Sequence, residues 1–168
     1  MKQISGTVTW AAIPVIMVLS AGCLSSARLS DFSGNASAID FDKYAAQPQA
    51  ERTALWTGKT SSEYFLERDS AYREADLGII IRRGLKGLGY VVDERNSVPG
   101  TNRIVAQRGM HANEWNSITG VYYKIDREKH KTQIYINTRI TQDVTGGWRE
   151  NRAAKVGAKM EQIMDGKE

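Results

Sequence analysis

One cysteine and two histidines occur in the 168 residues of this chain. A lone cysteine closes no internal disulfide, so no cross-link staples the fold. A zinc centre draws three or four ligands from Cys, His, Asp and Glu. His111 and Glu114 have H-x-x-E spacing, and His130 lies among lysines in a turn, so the supply is thin. No metal or other cofactor is expected. Long hydrophobic runs are also lacking. The apolar stretch Trp10 to Leu19 is about ten residues long and is interrupted by Pro14, whereas a spanning helix needs roughly 20. The nucleophile elbow G-x-S-x-G does not occur. "GKT" at 58 to 60 lacks the glycine that a phosphate-binding loop requires five residues before Gly58, because Thr53 stands there. Charge of one sign is scarce too. The 23 Lys+Arg against 19 Asp+Glu give +4, far from the dense basic field that binds nucleic acid, and no nucleic-acid partner is expected.

What the chain does have begins at its amino terminus. Lys2 is the only charge in the first 22 residues, the short apolar stretch follows, and small residues Ser20, Ala21 and Gly22 close it. These are the basic, hydrophobic and cleavage regions of a secretory signal peptide, so residues 1–22 read as a removable address. Cys23 comes directly afterwards, within "VLSAGCLSS".

"LSAGC" resembles the lipobox of bacterial lipoproteins, with Leu19 four residues before the cysteine and Ser20 where leucine is commonest. The resemblance covers about 23 residues. It implies that Cys23 receives a diacylglyceryl group through sulfur, becomes the new amino terminus and is acylated there by a fatty acid such as palmitate. Each buried methylene adds about 0.8 kcal/mol, so one chain binds reversibly while two or more hold firmly. In lipoproteins of double-membrane bacteria an aspartate after the cysteine retains the protein in the inner membrane. Leu24 in that place implies the periplasmic face of the outer membrane. The mature chain would carry 22 basic and 19 acidic residues, a net charge of +3.

Residues 23–50 are rich in Ser, Ala, Asp, Gln and Gly with scattered apolar residues. Such a composition buries little to offset its ordering entropy, so the segment reads as a lipidated flexible tether. Residues 51–168 read as one domain. "SSEYFLE" predicts a short strand. Asp69 or Ser70 is placed to cap a helix from Ala71, on which Leu77, Ile80, Ile81, Gly84, Leu85 and Leu88 form an apolar face. Gly89 in "GLGY" suits a left-handed cap, with Tyr90 beginning the next element. "YVVDE", "RIVAQR", "ITGVYYKID" and "TQIYINTRI" carry strand signals separated by turns, and short connections predict antiparallel pairing. In the last, Ile134, Ile136, Thr138 and Ile140 alternate with Gln133, Tyr135, Asn137 and Arg139, the pattern of a sheet with one dry and one wet face. A closing helix buries Ala153, Val156, Gly157, Met160, Ile163 and Met164. The sum is an α+β fold, expected as a two-layer sandwich in which an antiparallel sheet of about four strands carries two helices on one face.

No catalytic set stands out, so an enzyme is not the favoured reading. The wet sheet face carries Tyr122 and Tyr135 with Lys124 and Arg139, and Trp115 and Trp148 flank the strands. Aromatic and arginine side chains concentrate where proteins dock, although cross-strand tyrosines also stabilise a sheet by themselves. Trp115, Tyr122, Tyr135 and Arg139 therefore form the expected partner surface. Function is expected to be that of a lipid-anchored envelope lipoprotein serving as a non-catalytic interaction or assembly module, in contact with the membrane through Cys23 and with envelope proteins. The alternative is a small envelope hydrolase or ligand-binding protein, whose signature would be a deep pocket with convergent Asp, Glu or His residues.

Overall fold

A computed structural model describes residues 27–48, 61–109, 116–141 and 151–167. The fold is α+β. Five strands, β1 (Ser61–Arg68), β2 (Val91–Val92), β3 (Arg103–Arg108), β4 (Ser117–Asp126) and β5 (Lys131–Ile140), form one sheet. Its order is β1-β5-β4-β3-β2, and every pairing is antiparallel. Three α-helices accompany it among the described residues: α1 (Phe41–Ala45), α2 (Glu74–Gly87) and α3 (Arg152–Met164). No helix among these residues is long and apolar enough to cross a membrane. The sheet has five strands rather than about four because "SSEYFLE" joins it at the edge, pairing along its whole length with β5.

The inner face is built by period-two alternation. Tyr64, Ile136, Val121 and Ile104 lie in one row across β1, β5, β4 and β3, and Leu66, Ile134 and Tyr123 lie in the next. Both long helices close over these rows. Leu77, Ile81 and Leu85 of α2 and Ala153, Val156 and Met160 of α3 belong to the same buried cluster as the strand residues, as the helical spacing requires. Helix α2 begins later than the sequence suggests, at Glu74, with Arg73 at its N-cap and no side-chain cap. Neither Asp69 nor Ser70 caps it, because Thr132 on β5 ties that segment down. Its hydroxyl donates to the Ser70 carbonyl at 2.7 Å and accepts from the Tyr72 N–H at 3.3 Å. The far end follows the sequence. Gly89 has φ +79, its N–H bonds the Lys86 carbonyl, and the Tyr90 N–H bonds that of Leu85, which satisfies two otherwise orphaned acceptors.

Helix α3 approaches the sheet closely because position 157 has no side chain. A Cβ there would lie 2.3 Å from two Tyr64 ring carbons. The Asn151 side chain accepts from the Ala154 N–H at 2.9 Å, and Ser62 on β1 accepts from the Ala153 N–H at 3.1 Å, so the sheet helps cap this helix.

The segment 27–48 departs most from expectation. It was read as a flexible tether, yet two 3₁₀ turns, Leu29–Phe32 and Ala36–Ala38, together with α1 lie against the outer face of the sheet. The architecture is therefore not two layers with a wet back, since residues 29–45 form a strap over that back. Few apolar residues suffice because they are large and well placed: Phe32 is 2% exposed and Phe41 5%.

Two glycine substitutions test the close helix packing. Gly157→Ala should lower stability, since overpacking costs about 1–3 kcal/mol against a helix-propensity gain of at most about 1 kcal/mol. Gly87→Ala, where the new methyl meets only the flexible Lys159 Cε at 3.2 Å, should be neutral or stabilising. Urea unfolding midpoints of the two variants measure the difference.

Candidate functional site

The outer face is a set of cross-strand rows. Phe65, Tyr135, Tyr122 and Arg103 occupy one, and Glu63, Asn137, Gly120 and Val105 the next, followed by Ser61, Arg139, Ile118 and Gln107. The first row is an aromatic platform, with the Tyr122 and Tyr135 rings 6.0 Å apart. Onto it the strap sets Phe41 and Ala36. Tyr44 adds its ring at 4.7 Å from Tyr135 and 5.8 Å from Phe65, and its hydroxyl donates to Glu63 Oε2 at 3.3 Å.

The second row has a gap in its middle, and Phe32 fills it. A Cβ on Gly120 would lie 2.6 Å from Phe32 Cδ1 and 2.9 Å from Tyr122 Cε2, so only glycine admits the ring. Val105 and Ile118 flank it, and the Arg139 guanidinium lies 5.6 Å above its centroid, a cation–π contact. Arg103 clasps the chain just beyond. Its guanidinium donates to the carbonyls of Ser33 and of Gly34, the latter at 2.7 Å, and through Nε to the Asn96 carbonyl at 3.0 Å. A buried arginine is tolerated when its donors are used in this way. Ion pairs from Asp31 to Arg139 at 3.5 Å and from Asp42 to Lys124 at 3.7 Å border the strap. They are solvent-exposed and contribute little.

This arrangement corrects the expected docking surface. Tyr122 and Tyr135 are 6% and 4% exposed, covered by the protein's own residues 29–45, and offer nothing to an outside partner. The wet face inferred from alternation is dry because the strap supplies the missing layer. Arg139 is partly exposed but serves Phe32 and Asp31. Trp115, Trp148, Thr145, His111, Glu114, the Gly58–Thr60 triplet and Cys23 lie outside the described residues. His130 is exposed in the turn between β4 and β5 with φ 54, beside a Lys129 N–H held by Asp126 at 2.9 Å.

Sequence reasoning missed Phe32, Phe41, Tyr44, Arg103 and Gly120. The signals were present. Three aromatic residues fall within the stretch read as a spacer, and a glycine stands inside a strand, where it marks the close approach of another group.

Polar chemistry elsewhere is sparse among the described residues. No group of three or more His, Cys, Asp or Glu side chains could hold a metal ion there. On the inner face the Tyr90 hydroxyl and Ser117 Oγ are 3.1 Å apart, and Arg152 donates to the same oxygen at 3.3 Å. One open cleft of about 630 Å³ runs between α2 and the 97–99 turn, lined in part by Glu74, Ile79, Arg82, Val98, Pro99 and Tyr123. Glu74 is the only carboxylate in its lining, and it accepts from the Tyr123 hydroxyl at 3.5 Å. Arg82 is engaged with Glu94 at 2.9 Å. A lone carboxylate does not form the paired acid and base of a hydrolytic site. Compared with known proteins, the chain matches no family model and no curated sequence.

Several tyrosines share an electrostatic consequence of this packing. Burial pushes the Tyr64 hydroxyl up to about 12, helped by the Glu161 carboxylate that accepts its proton at 3.1 Å. Burial likewise raises Tyr44, Tyr122, Tyr123 and Tyr135 above the ordinary 10.0. A raised phenol stays neutral in the fold after its unfolded counterpart has ionised. The stability it contributes is complete below pH 10 and is lost as pH rises through the folded values. Alkaline unfolding should therefore begin near pH 10, with tyrosinate absorbance appearing together with loss of the circular-dichroism signal.

Phe32→Ala tests the strap. Removing a buried phenylalanine costs about 3–5 kcal/mol, and the loss should fall on the strap first. Hydrogen exchange at residues 29–45 should accelerate strongly, while the amides of α2 and α3 change less.

Proposed function

We propose that this protein is a lipid-anchored lipoprotein of the bacterial cell envelope, held at the periplasmic face of the outer membrane, and that its domain is a non-catalytic interaction or assembly module. The observation that carries this reading is Cys23, the only cysteine, placed directly after a leader with a basic start, a short apolar core and a small-residue end. Acyl chains on that sulfur would hold a water-facing fold at a bilayer.

The fold supports the module half of the reading in two ways. The aromatic sheet face is consumed in holding the chain's own strap, which makes it structural. Exposed aliphatic side chains instead gather at the cleft beside α2, where Ile79 is 57% and Val98 47% exposed. Exposed apolar groups rimmed by charge are typical of protein-contact surfaces, and here Glu74 and Arg82 supply the rim. An envelope protein is the kind of partner such an anchored domain would meet.

Two measurements test the two halves separately. Mass spectrometry of protein from its native membrane should find an amino terminus at Cys23 with added fatty-acid mass, and an unmodified chain beginning at Met1 would overturn the anchor. Photo-crosslinking in intact cells from Ile79 or Val98 should capture a discrete envelope protein that a probe at Gln162 on α3 does not. Equal labelling from both regions would remove the cleft from consideration.

A further inference from the structure

The strap has a consequence for the anchor proposed above, and the inference here rests on that anchor. Ala27 and Leu29 are already packed against the cluster of Phe32, Val105 and Ile118, and Phe32 and Arg103 pin the chain immediately afterwards. Cys23 precedes Ala27 by four residues. A fully extended chain spans at most about 3.3–3.6 Å per residue, so these four cover no more than about 14 Å. The headgroup layer on each side of a bilayer is itself about 5–8 Å thick. A sulfur esterified into that layer leaves the fold almost no slack. A composition that reads as a spacer thus works as a short leash whose far end is fastened to the sheet.

We infer that the surface around Arg28–Ser30, at the Ile118 end of the sheet, rests against the lipid headgroups of the anchoring bilayer. The turn Arg127–His130 lies at the other end of β4. Eight residues separate Ile118 from Asp126, about 27 Å at the rise of an antiparallel strand. Chain length, not charge, imposes this adjacency. Acidic and basic groups alternate around the strap, with Asp31 beside Arg139 and Asp42 beside Lys124, so no single-sign field draws it to an anionic surface.

The acylated full-length protein, reconstituted in phosphatidylcholine vesicles containing headgroup-spin-labelled lipid, tests the inference. Once Cys23 carries lipid, a fluorophore can be placed uniquely by S30C or by K129C, both exposed positions. Fluorescence at S30C should be quenched several-fold more than at K129C, and added salt should leave the difference intact. A spacer of roughly 12 Gly/Ser residues after Ser26 adds about 19 Å of root-mean-square reach and should bring S30C down to the K129C level. Equal quenching at the two positions in protein with confirmed acyl mass, or a spacer without effect, overturns the membrane-proximal assignment while leaving the anchor standing. Protein without acyl mass that fails to bind the vesicles overturns the anchor, and this inference with it.

Discussion

A five-stranded sheet has two faces, and the inward and outward side chains of this one are both largely apolar. That constraint organises the molecule. Helices α2 and α3 bury Tyr64, Leu66, Val121, Ile134 and Ile136 on one side. The other side presents Phe65, Tyr122, Tyr135, Val105 and Ile118, and it is satisfied only because the chain between residues 29 and 45 folds back over it. Without that cover the sheet would expose an aromatic platform to water, a large hydrophobic cost.

The strap is short of regular structure, so its hold depends on a few directed contacts. Gly120 opens a hole that a phenylalanine fills, and Arg103 binds the carbonyls that a helical or strand segment would have paired internally. Carbonyls in an irregular segment still need partners when they are covered, and a guanidinium with several donors is well suited to supply them. The ion pairs at the margin add orientation rather than much free energy.

Strap and anchor together change how the molecule is pictured at a membrane. A domain on a long disordered tether samples a wide volume. A domain whose leash is fastened to its own sheet after four residues has a preferred side down and presents its remaining surfaces, the cleft beside α2 among them, in a limited set of directions. For an interaction module that restriction raises the effective concentration of a partner held in the same membrane.

Much of the fold was legible in the sequence. The 3.6-residue spacing of Leu77, Ile81 and Leu85, the glycine stop at Gly89 and the alternation in β5 follow from local geometry, and local geometry is written in consecutive residues. The leader before Cys23 is legible for the same reason. What the sequence could not decide is which surface a face meets. Tyr122, Tyr135 and Arg139 show the same alternation whether water, a partner or a distant part of the same chain lies above them. Phe32 and Phe41 look like isolated apolar residues in a polar stretch until Gly120 and Phe65, some 90 and 24 residues further on, are brought beneath them. Burial is a property of pairs far apart in sequence, and only the tertiary structure brings those pairs together.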